Sequence, residues 1–219
     1  MLFDVFQNTI SYIGSFLSIL LIPMATIIVG LRVLKEKKET GKLNVIRTLI
    51  FGIFFNFSLI VILEFITKDT PLGTAKLLEI VTNESNHFTI NNFLTGLVVT
   101  LGIAMVCYAN GLEAFYYSST FLYGGMFIFY LLTGFDGWLM AYIYVAGAIS
   151  IVFLYLTGIK FKDNGSLGLA IFFTFVFVTK AIGFNENLIG VFFVMVYLVF
   201  ILYFSLGHFK PYKDEVVLR

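Results

Sequence analysis

The sequence predicts an all-α fold, a polytopic membrane bundle of seven transmembrane helices. Two observations carry this prediction. Of the 219 residues, 59% are hydrophobic and only 12% are charged, and the mean hydropathy is +0.96. A soluble domain has about 25% charged residues, so this composition excludes a soluble globular fold. The apolar residues also form long unbroken runs, which are typical of helices rather than of the alternating strands of a membrane barrel.

Each apolar run approaches the roughly 20 residues that a helix needs to cross a bilayer. The runs belong to one transmembrane domain, 1–219, whose longest outer loop is 67–92. The lipid bilayer is therefore the first expected partner. The predicted helices cover about 9–31, 46–66, 93–110, 114–133, 137–159, 166–184 and 187–207.

Proline, glycine and acidic residues mark features along these helices. Pro23 lies inside the first helix, where a proline removes a backbone hydrogen bond and predicts a kink. Gly111 is the predicted C-cap of the third helix. Glu113 then lies at the positive end of the fourth helix, and Asp136 is the predicted N-cap of the fifth.

The distribution of Lys and Arg predicts that the N-terminus is outside and the C-terminus inside, because cytoplasmic loops carry the excess of these residues. In this orientation only Lys68, Lys76 and Lys180 fall towards the outer side. An odd number of helices agrees with termini on opposite sides. The residues predicted on the inner side are Arg32, Lys35, Lys37, Lys38, Lys42, Arg47, Lys160, Lys162, Lys210, Lys213 and Arg219.

Ionisable side chains within a bilayer mark functional sites by default, and the predicted helices carry none at mid-depth. Glu64 ends the second helix and Lys180 nears the end of the sixth, both at the predicted outer face. Two interpretations are open. Each side chain could reach the headgroups on its own, or the two could pair as a gate or vestibule.

A remote alternative assigns Lys180 to a retinal Schiff base, which would make the chain a retinal-binding seven-helix protein. Such a lysine needs a carboxylate counter-ion at mid-membrane depth. Glu64 is the only plausible partner, and it lies near the membrane edge. The sequence therefore gives this alternative little support.

Uncharged polar side chains supply further candidates. Asn56 lies near the middle of the second helix, where an amide either bonds to a neighbouring helix or lines a water-filled path. The spacing of Gly96 and Thr100 places small residues on one face of the third helix and predicts close helix packing. Tyr142 and Tyr144 lie near the start of the fifth helix, so an interfacial aromatic belt competes with a pore lining.

The sequence gives no support for catalysis. The histidines are His87 and His208, and neither has a metal-ligand spacing with another His, Cys or carboxylate. Cys107 lies in an apolar helix and is predicted to be packing. We therefore expect no enzyme activity, no cofactor and no metal site. A formal net charge of +1 also gives no basic surface for nucleic acid.

Short motifs in order across 9–184 resemble those of the urea/amide channel family (AmiS/UreI). The resemblance implies a passive channel for small neutral solutes, urea or short-chain amides. It also implies a homo-oligomer, such as a ring in which each protomer has its own pore, and a prokaryotic plasma (inner) membrane. The motifs are Phe51-Gly52, Leu94-Thr95-Gly96-Leu97, Gly111-Leu112-Glu113, Asp136-Gly137-Trp138 with Ala146-Gly147, and Leu169-Ala170-Ile171.

The chain departs from that family in several ways. The family has six helices, whereas a seventh is predicted here at 187–207. Phe173 stands where the family has a glutamate, and Trp138 is the single tryptophan where the family has several. The family's acid gate uses several outer histidines and carboxylates, and here His87 is the available histidine. Most single loop histidines are bystanders. The resulting pore-lining candidates are Asn56, Thr100, Tyr142, Tyr144 and Phe173, and the gate or vestibule candidates are Glu64, His87 and Lys180.

A second hypothesis comes from a different functional class. The basic first loop, Arg32 to Lys42, could bind a soluble partner of a non-transporting sensor or effector subunit. The simpler interpretation of that loop is charge that sets membrane topology.

Overall fold

The computed structural model describes residues 2–69, 90–162, 164–182, 196, 198–204 and 206–207, and over these residues the secondary structure is helical with no strand. The all-α prediction is confirmed. A short 3₁₀ helix, Glu113–Phe115, lies between the third and fourth α-helices, and 198–204 form a further helical stretch that we call α7. The preceding helices are α1 (Leu2–Thr40), α2 (Val45–Asp69), α3 (Ile90–Ala109), α4 (Ser118–Thr133), α5 (Gly137–Phe161) and α6 (Asn164–Ile182).

Four helical segments are long and apolar enough to cross a membrane, counted over the residues that the structure describes. A shorter apolar helix covers Ser166–Val178. These lengths and compositions are those of an integral membrane protein. The four segments are Phe16–Thr40, Val45–Leu63, Ile90–Ala109 and Gly137–Phe161.

The first helix is longer than predicted, because it begins at Leu2 instead of residue 9 and continues past residue 31 to Thr40. Lys, Glu and Arg are good helix formers, so a run of charged residues does not by itself end a helix. Lys35 and Glu39 lie 3.8 Å apart, one turn from each other. The helix ends where Gly41 adopts a positive φ of 71° and donates to the carbonyl of Lys37. The basic segment is therefore helical, and the connection to α2 shrinks to 41–44.

An ion pair joins this extension of α1 to the start of α2. Arg47 lies 2.8 Å from the Glu36 carboxylate, and both side chains are partly buried. The amide of Asn44 donates to the same carboxylate at 3.4 Å, and its oxygen accepts from the backbone N–H of Arg47. These contacts tie the short connection to both helices.

Replacing Glu36 with glutamine is expected to lower the free energy of unfolding by about 1 kcal/mol, because it removes the charge that Arg47 faces. Thermal unfolding in detergent at low salt measures this loss. Glu39→Gln is the matched control, since its pair with Lys35 is longer and more exposed and is expected to contribute little. Equal shifts from the two variants would contradict the special role of Glu36.

The connection between α3 and α4 follows the predicted cap but not the predicted helix start. Gly111 has a φ of 69°, and the N–H of Leu112 reaches the carbonyl of Cys107, so Gly111 ends α3 as expected. The fourth α-helix begins at Ser118 instead of residue 114. One reason is local: the Ser118 hydroxyl donates to the carbonyl of Phe115, which closes the 3₁₀ turn ahead of the helix.

Two further capping predictions have separate outcomes. Asp136 does occupy the N-cap position of α5, but its side chain makes no capping hydrogen bond. Glu113 is the first residue of the 3₁₀ helix, so it lies ahead of α4 and not at its positive end, where it was expected.

Helix α3 lies at the centre of the described bundle. It packs against α2, α4 and α5, while α1 packs on α2 and α6 packs on α5. Phe54 connects α2 to α6 and α7, because its ring stacks on Phe172 of α6 and lies 5.5 Å from the ring of Phe204 in α7. The main apolar core thus runs from α1 through α2 and α3 to α6 and α7. A second, smaller cluster joins α3 to α4 and α5.

Candidate functional site

Four hydroxyl-bearing side chains meet where α3, α4 and α5 come together. The hydroxyl of Thr100 lies 3.0 Å from that of Tyr142. Ser119 donates to the carbonyl of Thr100 at 3.3 Å. The single hydroxyl proton of Tyr142 can go to Thr100 or to the carbonyl of Ser119, which lies 3.3 Å away. Tyr123 donates to the carbonyl of Phe93 at 2.8 Å, and its ring stacks on Tyr142 at 5.4 Å. We call Thr100, Ser119, Tyr123 and Tyr142 the hydroxyl junction.

A glycine on α3 makes room for this arrangement. A Cβ at Gly96 would lie 2.4–2.5 Å from the ring of Tyr123, so the ring fills a notch that only glycine leaves open. The carbonyl of Gly96 also accepts from the Thr100 hydroxyl at 2.8 Å. Where the spacing of Gly96 and Thr100 predicts close packing of helices, the space at Gly96 is occupied by an aromatic ring.

The hydroxyl junction is buried and lies halfway along its central helix. Its side chains are only 3–5% exposed. Thr100 is the eleventh of the 20 residues of α3, which places it about 15 Å from either end at 1.5 Å per residue. A helix of that length matches the roughly 30 Å core of a bilayer. The junction is therefore at the middle of a helix that is long enough to cross a membrane.

Small and polar residues continue from the junction along the contact between α3 and α5. A Cβ at Gly102 would lie 2.9 Å from the Ser150 hydroxyl. Near the C-terminal end of α3, the Asn110 amide donates to the Thr157 hydroxyl at 3.0 Å. Because residue numbers rise together on both helices, α3 and α5 run parallel. Neutral donors and acceptors thus mark this contact from mid-depth to one end.

The chemistry of these groups suits a neutral partner. Hydroxyls and an amide donate and accept hydrogen bonds without carrying charge. They can replace part of the hydration of a small polar molecule, whereas they offer no counter-charge to an ion. Among the described residues, no group of three or more His, Cys, Asp or Glu side chains could hold a metal ion.

Two of the predicted pore-lining residues come together in the junction, namely Thr100 and Tyr142. The other three lie elsewhere. Asn56 is half-buried on α2 and donates to the carbonyl of Gly52, one turn earlier on the same helix. The predicted pore that all five line together stays a prediction.

The remaining two candidates have aromatic neighbours. Tyr144 is 38% exposed and meets Phe177 edge-on at 6.1 Å. Phe173 packs on Phe172, with 5.1 Å between the ring centroids, at the side of the main core. Neither residue has the polar partners that define the junction.

The predicted gate residues lie beyond what the structure describes. Glu64 is on α2 and Lys180 is on α6, but their side chains are outside the described residues, and so is His87. Their pairing and their roles in a gate stay predictions. Cys107 is buried, as its packing role predicts.

Sequence reasoning missed Ser119 and Tyr123 as site residues. Their positions on a nearly uniformly apolar helix give little indication of which face is buried. The available signal was Gly96, because a notch on one helix implies a large side chain on a neighbour. That signal does not say which neighbour supplies it.

An apolar groove of about 300 Å³ lies on the surface formed by α4 and the start of α5. It contains none of the junction residues. Its lining residues are Phe121, Leu122, Gly125, Met126, Phe129 and Trp138.

Comparison with known proteins gives no support for a particular function, so a functional proposal depends on the fold and the hydroxyl junction. No family model matches the chain, and no significant match is found among curated proteins or solved structures. The resemblance to the urea/amide channel family therefore stays a prediction.

Proposed function

We propose that the protein is a passive membrane channel for small neutral solutes, such as urea or short-chain amides. The observation that supports this most is the hydroxyl junction, a set of uncharged hydrogen-bonding groups at the mid-depth of an otherwise apolar bundle. Urea and short amides are flat, neutral and rich in donors and acceptors. They can exchange bonds with Thr100 and Tyr142, which are already bonded to each other.

The absence of charge near the junction is consistent with passive transport. A proton-coupled transporter needs a titratable group at mid-depth, and the sequence between residues 90 and 109 contains no Asp, Glu, His, Lys or Arg. A channel for neutral solutes needs only a narrow passage with polar contacts. The solute route in this proposal follows the contact between α3 and α5.

The proposed topology has seven transmembrane helices with the N-terminus outside and the C-terminus inside. A contact between the first and last helices supports it. Gly207, just after α7, lies against the Arg32 guanidinium, since a Cβ there would be 3.1 Å from Nη1. Phe204 lies beside Phe54, whose carbonyl accepts from Thr26 of α1. Helices α1 and α7 therefore run in the same direction, which supports a topology with an odd number of crossings.

The proposed setting is a prokaryotic plasma (inner) membrane, in which the chain forms a homo-oligomer with one pore per protomer. The large exposed apolar side chains of α4 are compatible with contact to lipid or to another copy. Phe121 and Leu132 are about four-fifths exposed in the single chain. The kind of membrane and the pore in each protomer are proposed from the resemblance to the urea/amide channel family.

Reconstituted protein is expected to admit urea and acetamide at least tenfold faster than empty liposomes do. Stopped-flow light scattering measures the entry, with glycerol as a bulkier comparison, at pH 7 and pH 5. A higher rate at pH 5 that is lost in His87→Ala would assign an acid-sensing role to His87. Rates equal to those of empty liposomes at both pH values would overturn the channel proposal.

A second candidate, a non-transporting sensor or effector subunit, is favoured by the end of α1. This helix continues for nine residues beyond the predicted membrane boundary, and Lys37 and Lys38 are exposed on its last turns. Such an arm could contact a soluble partner. This candidate would be favoured if the protein shows no solute flux above that of empty liposomes and a soluble partner co-purifies with it only when Lys37 and Lys38 are present.

A further inference from the structure

Helix α4 is held to the bundle by a small number of buried groups. The two side chains of α4 that are buried belong to Ser119 and Tyr123, and both are members of the hydroxyl junction. The helix is also short, since 16 residues give about 24 Å at 1.5 Å per residue. Gly111 and Gly134 flank the α4 region with φ near +70° and open space beside them.

The N-terminus of α4 lies at mid-depth and not at a membrane surface, because Ser119 contacts Thr100. The chain from Gly111 to Tyr117 therefore runs beside the second half of α3. The ring contact of Tyr116 with Tyr108, 5.1 Å between centroids, places it there. This segment contains turns and one 3₁₀ helix in place of an α-helix, and most of its side chains are exposed.

Irregular backbone at membrane depth requires water or protein cover, because lipid cannot satisfy its free N–H and C=O groups. The segment ends beside Ser119, at the start of α4, so the backbone that needs such cover reaches the junction. Above Ser119 the gap between α3 and α5 is filled by Tyr123, whose ring occupies the notch at Gly96. Tyr123 thus blocks the outer half of the route at Gly96.

We propose that Tyr123 is the gate of the outer half of the solute path, and that this half opens when its ring leaves the Gly96 notch. Two contacts hold the closed position: the hydrogen bond to the carbonyl of Phe93 and the stacking on Tyr142. Movement of α4 between its flanking glycines withdraws the ring. This inference rests on the proposed channel function and names its gating residue.

Accessibility of a cysteine below the gate tests this inference without depending on the solute. In a Cys107→Ala background, Ser119→Cys provides one thiol at the junction. Intact cells expressing it are treated from outside with a membrane-impermeant thiol reagent. Labelling is expected to be slow with Tyr123 present and at least tenfold faster with Tyr123→Ala.

Matched variants define the result. Phe129→Ala, on the same helix but away from the junction, is expected to leave the labelling slow. Gly96→Ala replaces Tyr123→Ala if the latter does not fold, because the added Cβ displaces the same ring and is also expected to speed labelling. Slow labelling in both Tyr123→Ala and Gly96→Ala overturns the gate, as does fast labelling of Ser119→Cys when Tyr123 and Gly96 are both unchanged.

Urea flux through the same variants separates the gate from the proposed function. Faster labelling with faster urea entry supports both. Faster labelling with entry no higher than in empty liposomes supports the gate and overturns the channel. If urea enters liposomes that contain the wild-type protein rapidly and the variants show unchanged labelling, the channel is supported and the gate is overturned.

Discussion

Replacing Gly158 with alanine is expected to lower the free energy of unfolding by about 1–3 kcal/mol, because it overpacks the contact between α5 and α6. The added Cβ would lie 2.7 Å from Cγ of Leu167 and 3.0 Å from its backbone nitrogen. A side chain can rotate away, but a backbone nitrogen cannot. The connection between these helices is short, with Lys162 already in the left-handed region at a φ of 52°. A small backbone shift therefore cannot relieve the strain without a large cost in free energy.

Gly124→Ala is the control for this prediction. No atom lies within 4 Å of a Cβ at Gly124, which is also inside a helix. Alanine is a better helix former than glycine by up to about 1 kcal/mol, so this variant is expected to be neutral or stabilised. Thermal unfolding in detergent, followed by circular dichroism, compares the two variants. Equal melting temperatures would show that the α5–α6 contact adapts freely.

Composition was sufficient to predict an all-α chain with long apolar helices, because hydropathy is a property of about 20 consecutive residues and depends on no contact with another helix. The ends of the helices depend on shorter-range effects. The continuation of α1 to Thr40 could not be predicted from charge, because Glu36 acquires its partner Arg47 only when α2 folds back. The late start of α4 likewise depends on where the Tyr116 ring packs against Tyr108.

The candidate site was predictable only in part. Thr100 and Tyr142 could each be identified as candidate site residues, since a polar side chain in an apolar helix needs a hydrogen-bonding partner. Their meeting is a property of the packing of α3 against α5, and uniformly apolar helices give little indication of which faces meet. Tyr123 and Ser119 join them because Gly96 admits the ring of Tyr123. Gly96 could be recognised in the sequence as a position with free space, but which side chain fills that space is decided by tertiary packing.

Replacing Thr100 with leucine is expected to reduce urea entry more than tenfold, to the rate of empty liposomes. The Thr100 hydroxyl bonds to the carbonyl of Gly96 and contacts the hydroxyl of Tyr142, so leucine removes the central polar group of the junction. Its larger side chain also occupies a site that is only 3% exposed. A solute that needs both space and a hydrogen-bonding partner loses each at the same point.

Two threonine variants separate this effect from misfolding. Thr100→Ser keeps the hydroxyl and is expected to keep at least half of the flux. Thr133→Leu makes the same chemical change at the exposed C-terminal end of α4 and is expected to leave flux unchanged. Stopped-flow entry is measured on samples with matched melting temperatures and protein content. If Thr100→Leu conducts as well as wild type, the solute does not pass between α3 and α5, and the route must lie on another face of the bundle or between protomers.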